Sequence, residues 1–111
     1  MTIDVEEHAG IKVLHLRGEL AGDEEHALVN LISELLEQRG LRCVMDMGAV
    51  SFMNSAGLGD LVRVAAQINT SEGRVMLARL SPFVTGVLQS TRLDRFFEVA
   101  PSVEDALQRM A

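Results

Sequence analysis

One hydroxyl group, that of Ser55, lies where a buried strand is expected to lead into a helix. The apolar run from Cys43 to Met47 precedes it and predicts the strand. Apolar residues follow it at helical spacing: Leu58, Leu61, Val62, Ala65 and Ile68. We expect a turn between these elements, with Ser55 at its end and at the start of the helix. Because a helix N-terminus favours negative charge, this position could accommodate a phosphate.

Small residues follow Ser55. Gly57 and Gly59 fall in the expected first turn of the helix, where each glycine lowers helix stability by roughly 1 kcal/mol relative to alanine. This cost indicates close packing or access for another backbone. Alternatively, Ser55 or Asn54 only caps the helix, a role worth about 1 kcal/mol. Met53 either fills the core or lies exposed as an adaptable contact.

The other side chains that could take part in catalysis or bind a metal or cofactor do not form a recognisable motif in the sequence. Asp46 follows a run of apolar residues, and no histidine lies near it in a recognisable motif. The histidines, His8, His15 and His26, are scattered without metal-ligand spacing. The glycines after Ser55 fit neither a dinucleotide-binding fingerprint nor a phosphate-binding Walker loop. We therefore expect no catalytic residue, no metal and no cofactor.

A small enzyme is the alternative from a different class. Ser55 on a strand-to-helix turn is similar to the nucleophile elbow of hydrolases. However, Met53 interrupts the Gly-x-Ser-x-Gly pattern of that elbow, and the sequence places no histidine base.

The amino-acid composition indicates which classes of partner the protein could bind and where in the cell it is expected. The 111 residues suit one domain, residues 1–111, and 48% of them are hydrophobic. The net charge of −6 and the absence of Trp and Tyr argue against nucleic-acid binding. An acidic surface suits a basic protein partner, although it could serve solubility alone. The single cysteine, Cys43, is expected to be a buried free thiol. We find no signal peptide or membrane-spanning run, and therefore expect a cytoplasmic protein without membrane insertion.

The hydrophobic pattern predicts alternating strands and helices after an N-terminal hairpin. The expected strands are Thr2–Glu7, Ile11–Leu16, Arg42–Met47, Arg74–Ala78 and a short edge strand around Phe96–Val99. The expected helices run from Asp23–Glu25 to Gln38–Gly40, from Ser55 to Thr70, from Ser81–Pro82 onwards and from Pro101–Ser102 onwards. This alternation predicts an α/β fold with parallel strand pairs and a mixed sheet.

The segment Phe52-Met53-Asn54-Ser55-Ala56-Gly57-Leu58-Gly59 resembles the signature of the STAS domain, in particular that of bacterial anti-sigma factor antagonists. The likeness extends upstream to Leu16-Arg17-Gly18-Glu19-Leu20 and downstream through Arg74-Val75-Met76-Leu77 and Ser81-Pro82. It implies the STAS fold, with four to five strands in a mixed sheet, an N-terminal hairpin and four helices. Asn54 and Ala21 stand where the family usually has aspartate.

The resemblance also implies a mechanism. In this family the unphosphorylated antagonist binds an anti-sigma factor that is also a serine kinase, and thereby frees the sigma factor. The kinase phosphorylates the serine that matches Ser55, which ends the complex, and a serine phosphatase restores it. The residues implied to contact the partner are Ala21, Met53, Asn54, Ser55, Ala56 and Gly57. We expect a monomer and no enzymatic activity. The alternative within the family is a phosphorylation-independent STAS adaptor subunit of a transporter or signalling complex.

Overall fold

The computed structural model describes residues 1–22 and 26–111. Within these residues a five-stranded sheet, in the order β1-β2-β3-β4-β5, packs against four helices. The strands are β1 (Thr2–His8), β2 (Ile11–Leu20), β3 (Arg42–Met53), β4 (Arg74–Ala78) and β5 (Glu98–Ala100). The helices are α1 (Ala27–Leu35), α2 (Ser55–Thr70), α3 (Pro82–Ser90) and α4 (Val103–Met110). This order of elements confirms the predicted mixed sheet with four helices.

The sheet is mixed because only its first pair of strands is a hairpin. Strand β1 pairs with β2 antiparallel, and the turn between them is Ala9-Gly10. Both turn residues have positive φ, 52° and 83°, as a two-residue turn with the twist of a hairpin requires. The remaining pairs, β2 with β3, β3 with β4 and β4 with β5, are parallel, and a helix connects each pair.

Each face of the sheet buries its own hydrophobic cluster, because successive side chains of a strand point to opposite faces. The larger cluster joins the sheet to α1, α2 and α3, and its strand residues include Leu14, Leu16, Met45, Met47 and Leu77. The smaller cluster joins the other face to α4, and includes Ile11, Val13, Val44, Met76, Ala78, Ala106 and Met110. Cys43 lies in the larger cluster as a free thiol, as predicted, and burial raises its pKa to about 12.

Strand β3 is longer than the sequence pattern predicts. It continues from Met47 to Met53, where a turn was expected, and leads into α2 through the single residue Asn54. Two irregularities in its pairing with β2 explain the difference: one lies between the partners of His15 and Arg17, the other between those of Gly18 and Glu19. Such bulges interrupt the alternation of buried and exposed residues that identifies a strand. Strand β2 likewise extends beyond Leu16, to Leu20.

The structure confirms some of the other predicted helix and strand boundaries and corrects the rest. Helix α2 and strand β4 have the predicted bounds, and the predicted caps of α3 and α4, Ser81 and Ser102, each accept a backbone hydrogen bond. Helix α1 ends at Leu35, earlier than predicted, and its predicted acidic start at 23–25 lies outside the described residues. Strand β5 begins at Glu98, later than predicted, and the rings of Phe96 and Phe97 pack edge-to-face before it.

The start of α2 lies against the end of β2, and Gly57 is the point of contact. A Cβ atom on Gly57 would be 1.6 Å from the backbone oxygen of Leu20. The backbone N–H of Asn54 also donates to that oxygen, at 3.4 Å. Gly59, by contrast, has nothing within 4 Å of the position that a Cβ would occupy. Close packing therefore explains the first glycine, and only the second leaves open space.

These two glycines predict stability changes of opposite sign. Gly57→Ala should lower the free energy of unfolding by about 2–3 kcal/mol, because the new methyl group meets backbone atoms that cannot rotate away. Gly59→Ala should raise it by roughly 1 kcal/mol, since alanine favours the helix and meets nothing. Urea-induced unfolding of both variants would test this, and equal effects on the midpoint would contradict the close contact at Gly57.

Candidate functional site

Asn54 caps α2. Its backbone is extended, its side-chain oxygen accepts a hydrogen bond from the Gly57 N–H at 2.9 Å, and its backbone oxygen accepts one from the Leu58 N–H at 2.9 Å. This is the geometry of an N-cap residue. Of the two candidates for that role, Asn54 rather than Ser55 fills it, and capping does not account for the serine.

Ser55 is the first residue of α2, and its side chain is exposed. Within residues 1–22 and 26–111, the Ser55 hydroxyl has no hydrogen-bond partner in the protein. The first turn of α2 contains no acidic residue, and its cap, Asn54, is neutral. The positive end of the helix dipole is therefore not offset by a carboxylate on its own first turn, and a negative group on Ser55 would be electrostatically favoured.

The other predicted contact residues separate into surface and interior. Asn54 and Ala56 are exposed beside Ser55. Ala21 is half-buried, and its backbone nitrogen would be 3.0 Å from a Cβ on Gly57, so the structure brings it to the first turn of α2. Gly57 itself is buried.

Met53 does not contribute to this surface. Its side chain is only 3% exposed and belongs to the larger hydrophobic cluster. The expectation of an exposed, adaptable contact is therefore wrong, and of the two interpretations core packing is the one observed. The physical reason is its position as the last residue of β3, with its side chain on the buried face of the sheet.

A pair of ionisable side chains was missed in the sequence. The carboxylate of Asp46, which is buried, lies 2.7 Å from Nδ1 of His15. It also accepts a hydrogen bond from the Gly48 N–H at 3.0 Å and lies 3.4 Å from Nη1 of Arg79. No sequence motif joins these two residues; they meet because His15 and Asp46 are direct partners in the parallel register of β2 and β3. Aligning the two strands in parallel could have revealed the pair.

The His15–Asp46 pair lines a surface cavity of about 310 Å³ on the sheet, together with charged residues of β1 and β2. Glu6 is one of them, and its carboxylate lies 3.1 Å from Nε2 of His15. The hydrogen bond with His8, followed by the charge of His15, holds the pKa of the Glu6 carboxyl below its usual range.

This charged cavity is separate from Ser55. Ser55 does not line it and makes no hydrogen bond with His15, so the described residues show no Ser-His-Asp arrangement. In the same part of the chain, no group of three His, Cys, Asp or Glu side chains is placed to hold a metal ion. No helix among the described residues is long and apolar enough to span a bilayer.

Comparison with known proteins agrees with this architecture. Residues 2–106 match the family model of the STAS domain. Over 107 residues the chain is 30% identical to the anti-sigma-F factor antagonist RsfB of Mycobacterium tuberculosis, a match that covers 96% of this chain and 87% of that protein.

Two solved structures show the same fold. An anti-sigma factor antagonist from Mycobacterium paratuberculosis is 28% identical, with a TM-score of 0.81 over 97% of this chain and 92% of that one. The Bacillus cell fate determinant SpoIIAA in its phosphorylated form is 25% identical, with a TM-score of 0.74 over 99% of this chain and 100% of that one. With its hairpin, mixed sheet and four helices, this chain belongs to the STAS domain family.

Proposed function

We propose that this protein is an anti-sigma factor antagonist that binds an anti-sigma factor with serine kinase activity and is released when Ser55 is phosphorylated. The observation that carries the proposal is the exposed Ser55 at the start of α2, whose hydroxyl is left without a structural role because Asn54 caps the helix. The names of relatives support it: RsfB is an anti-sigma-F factor antagonist, and SpoIIAA has a phosphorylated form.

A phosphate on Ser55 would act on the interface rather than on the fold. It adds about −1.5 to −2 charges at pH 7, which the positive end of α2 tolerates. The chain from Phe52 to Gly59 contains no charged side chain, so a partner that covers it would have to desolvate the phosphate without an ionic partner from this segment. Repulsion, bulk and desolvation therefore oppose the complex.

The remaining parts of the proposal follow from this role. The surface formed by Asn54, Ser55 and Ala56, with Ala21 at its edge, contacts the anti-sigma factor. A serine phosphatase returns Ser55 to its free hydroxyl. The protein acts as a single STAS domain over residues 1–111, as a cytoplasmic monomer, without enzymatic activity, nucleic-acid binding or membrane insertion.

The variant Ser55→Asp tests the charge. We expect its free energy of unfolding to be unchanged, because the helix dipole accommodates the carboxylate, and its affinity for the anti-sigma factor to fall about tenfold, or about 1.4 kcal/mol. Titration calorimetry with a serine-kinase anti-sigma factor from the same organism would measure this. Ser55→Ala is the control and should bind as the unmodified protein does; equal affinity of all three would refute the charge mechanism.

Gly59 offers a test of where the interface lies. Gly59→Arg places a long, charged side chain in open space one turn beyond Ser55, so the fold should be retained while binding falls about tenfold or more. Ala66→Arg is the matched control, because Ala66 is also exposed and lies two turns further along the same face of α2. Equal binding by the two folded variants would place the interface away from the start of α2.

The neutral cap predicts the rate of phosphorylation. Asn54→Asp restores the carboxylate that is usual in the family while keeping the capping oxygen, and we expect the partner kinase to modify Ser55 faster in this variant. Mass spectrometry after incubation with the anti-sigma factor and ATP would measure the modified fraction, with Ser55→Ala as the unmodifiable control. No modification of either serine-containing form would instead favour the phosphorylation-independent STAS adaptor.

A further inference from the structure

Two phenylalanine rings stack on the surface of the protein. Phe52, near the end of β3, and Phe83, in the first turn of α3, have ring centroids 6.0 Å apart and an interplanar angle of 26°. Their exposed fractions are 40% and 48%. We call this pair the aromatic patch. Aromatic rings contribute much of the contact energy at protein interfaces, and this chain has no Trp or Tyr that could take that role.

The aromatic patch lies where the two longest uncharged stretches of the sequence meet. Residues 47–59 contain no Asp, Glu, Lys, Arg or His, and neither do residues 80–91. Asp, Glu, Lys and Arg make up 23% of the chain, so stretches of this length stand out. Phe52 belongs to the first stretch and Phe83 to the second. Depletion of charge around exposed aromatic residues is typical of the centre of a protein–protein interface.

We propose that the aromatic patch is the apolar anchor through which this protein binds its anti-sigma factor, an inference that rests on the function proposed above. The partner would present an apolar pocket that accepts both rings and has no charged group at its centre. Gly86, one turn beyond Phe83 on α3, has nothing within 4 Å of its Cβ position, which leaves room for the wall of such a pocket.

Continuity along the chain connects the aromatic patch with Ser55. Phe52 is separated from the cap residue Asn54 only by the buried Met53, and Ser55 follows directly. A partner that covers the rings therefore excludes water near the serine as well. A phosphate placed there loses hydration without gaining an ionic partner from residues 47–59, which gives the release a physical cause.

Net charge argues against a second copy of this chain as the occupant. Each copy carries a formal charge of −6, so two copies brought together repel one another. A different protein with an apolar pocket, and with basic residues on its surface away from Ser55, would instead be attracted to this acidic protein. We therefore expect the aromatic patch to bind a different protein and not a second copy of this chain.

The test compares Phe52→Ala and Phe83→Ala with Phe96→Ala. Phe96 is 43% exposed and pairs edge-to-face with Phe97 instead of joining the patch, so it matches the removed ring area at another place. Titration calorimetry with the same anti-sigma factor as in the Ser55 experiment should show affinity reduced at least about tenfold for each patch variant and unchanged for Phe96→Ala. Phe52→Leu and Phe83→Leu keep an apolar side chain and should lose less, and thermal unfolding identifies any variant that fails to fold.

The outcomes separate this inference from the function on which it rests. If the unaltered protein does not bind the anti-sigma factor, the proposed function fails. If it binds, and Ser55→Asp weakens the complex while folded Phe83→Ala binds like Phe96→Ala, the anchor is wrong and the proposed function stands. Sedimentation velocity tests whether a second copy of this chain occupies the patch. A concentration-dependent dimer that disappears in the Phe52→Ala, Phe83→Ala double variant would overturn the proposal that the patch binds a different protein.

Discussion

The first turn of α2 rests directly on the last residue of β2, and the missing side chain of Gly57 makes that contact possible. The carbonyl oxygen of Leu20 lies where the Cβ of any other residue would be, and it also accepts the N–H of Asn54. This contact brings the first turn of α2 against the end of β2. Ser55 lies two residues before Gly57, on roughly the opposite side of the helix, and its side chain is exposed to solvent.

Much of this arrangement was predictable from residue pattern. Helix α2 has a regular apolar face between a polar start and the Glu72-Gly73 stop, so its bounds could be predicted without tertiary information. The continuation of β3 to Met53 could not, because its two pairing irregularities remove the period that defines a strand. For Met53 the sequence favoured core packing and left an exposed contact open, and the extent of the strand decides for the core.

The features that could not be predicted are contacts between residues that lie far apart in the sequence. The role of Gly57 depends on the position of Leu20, and the pair His15–Asp46 depends on the parallel register of β2 and β3. The local sequence around these residues gives no sign of either contact. The stacking of Phe52 on Phe83 is of the same kind, since β4 and the start of α3 must first bring residues 80–91 beside the end of β3. The two uncharged stretches were nevertheless visible in the sequence, although their meeting point was not.

Two regions of the protein surface differ in charge: the area around His15 and Asp46 is rich in charged side chains, and the start of α2 has none between Phe52 and Gly59. The charged side chains around His15 and Asp46 contact one another: Asp46 contacts His15 of β2 and Arg79, which follows β4, and Arg17 of β2 pairs with Asp4 of β1. A partner that approached this region would have to compete with ion pairs already made. At the start of α2, by contrast, the cap is neutral, the serine is unengaged and the neighbouring rings are exposed. There no side chain between Phe52 and Gly59 carries a charge that could pair with an added phosphate, which makes this end of the sheet the more sensitive place for a switch.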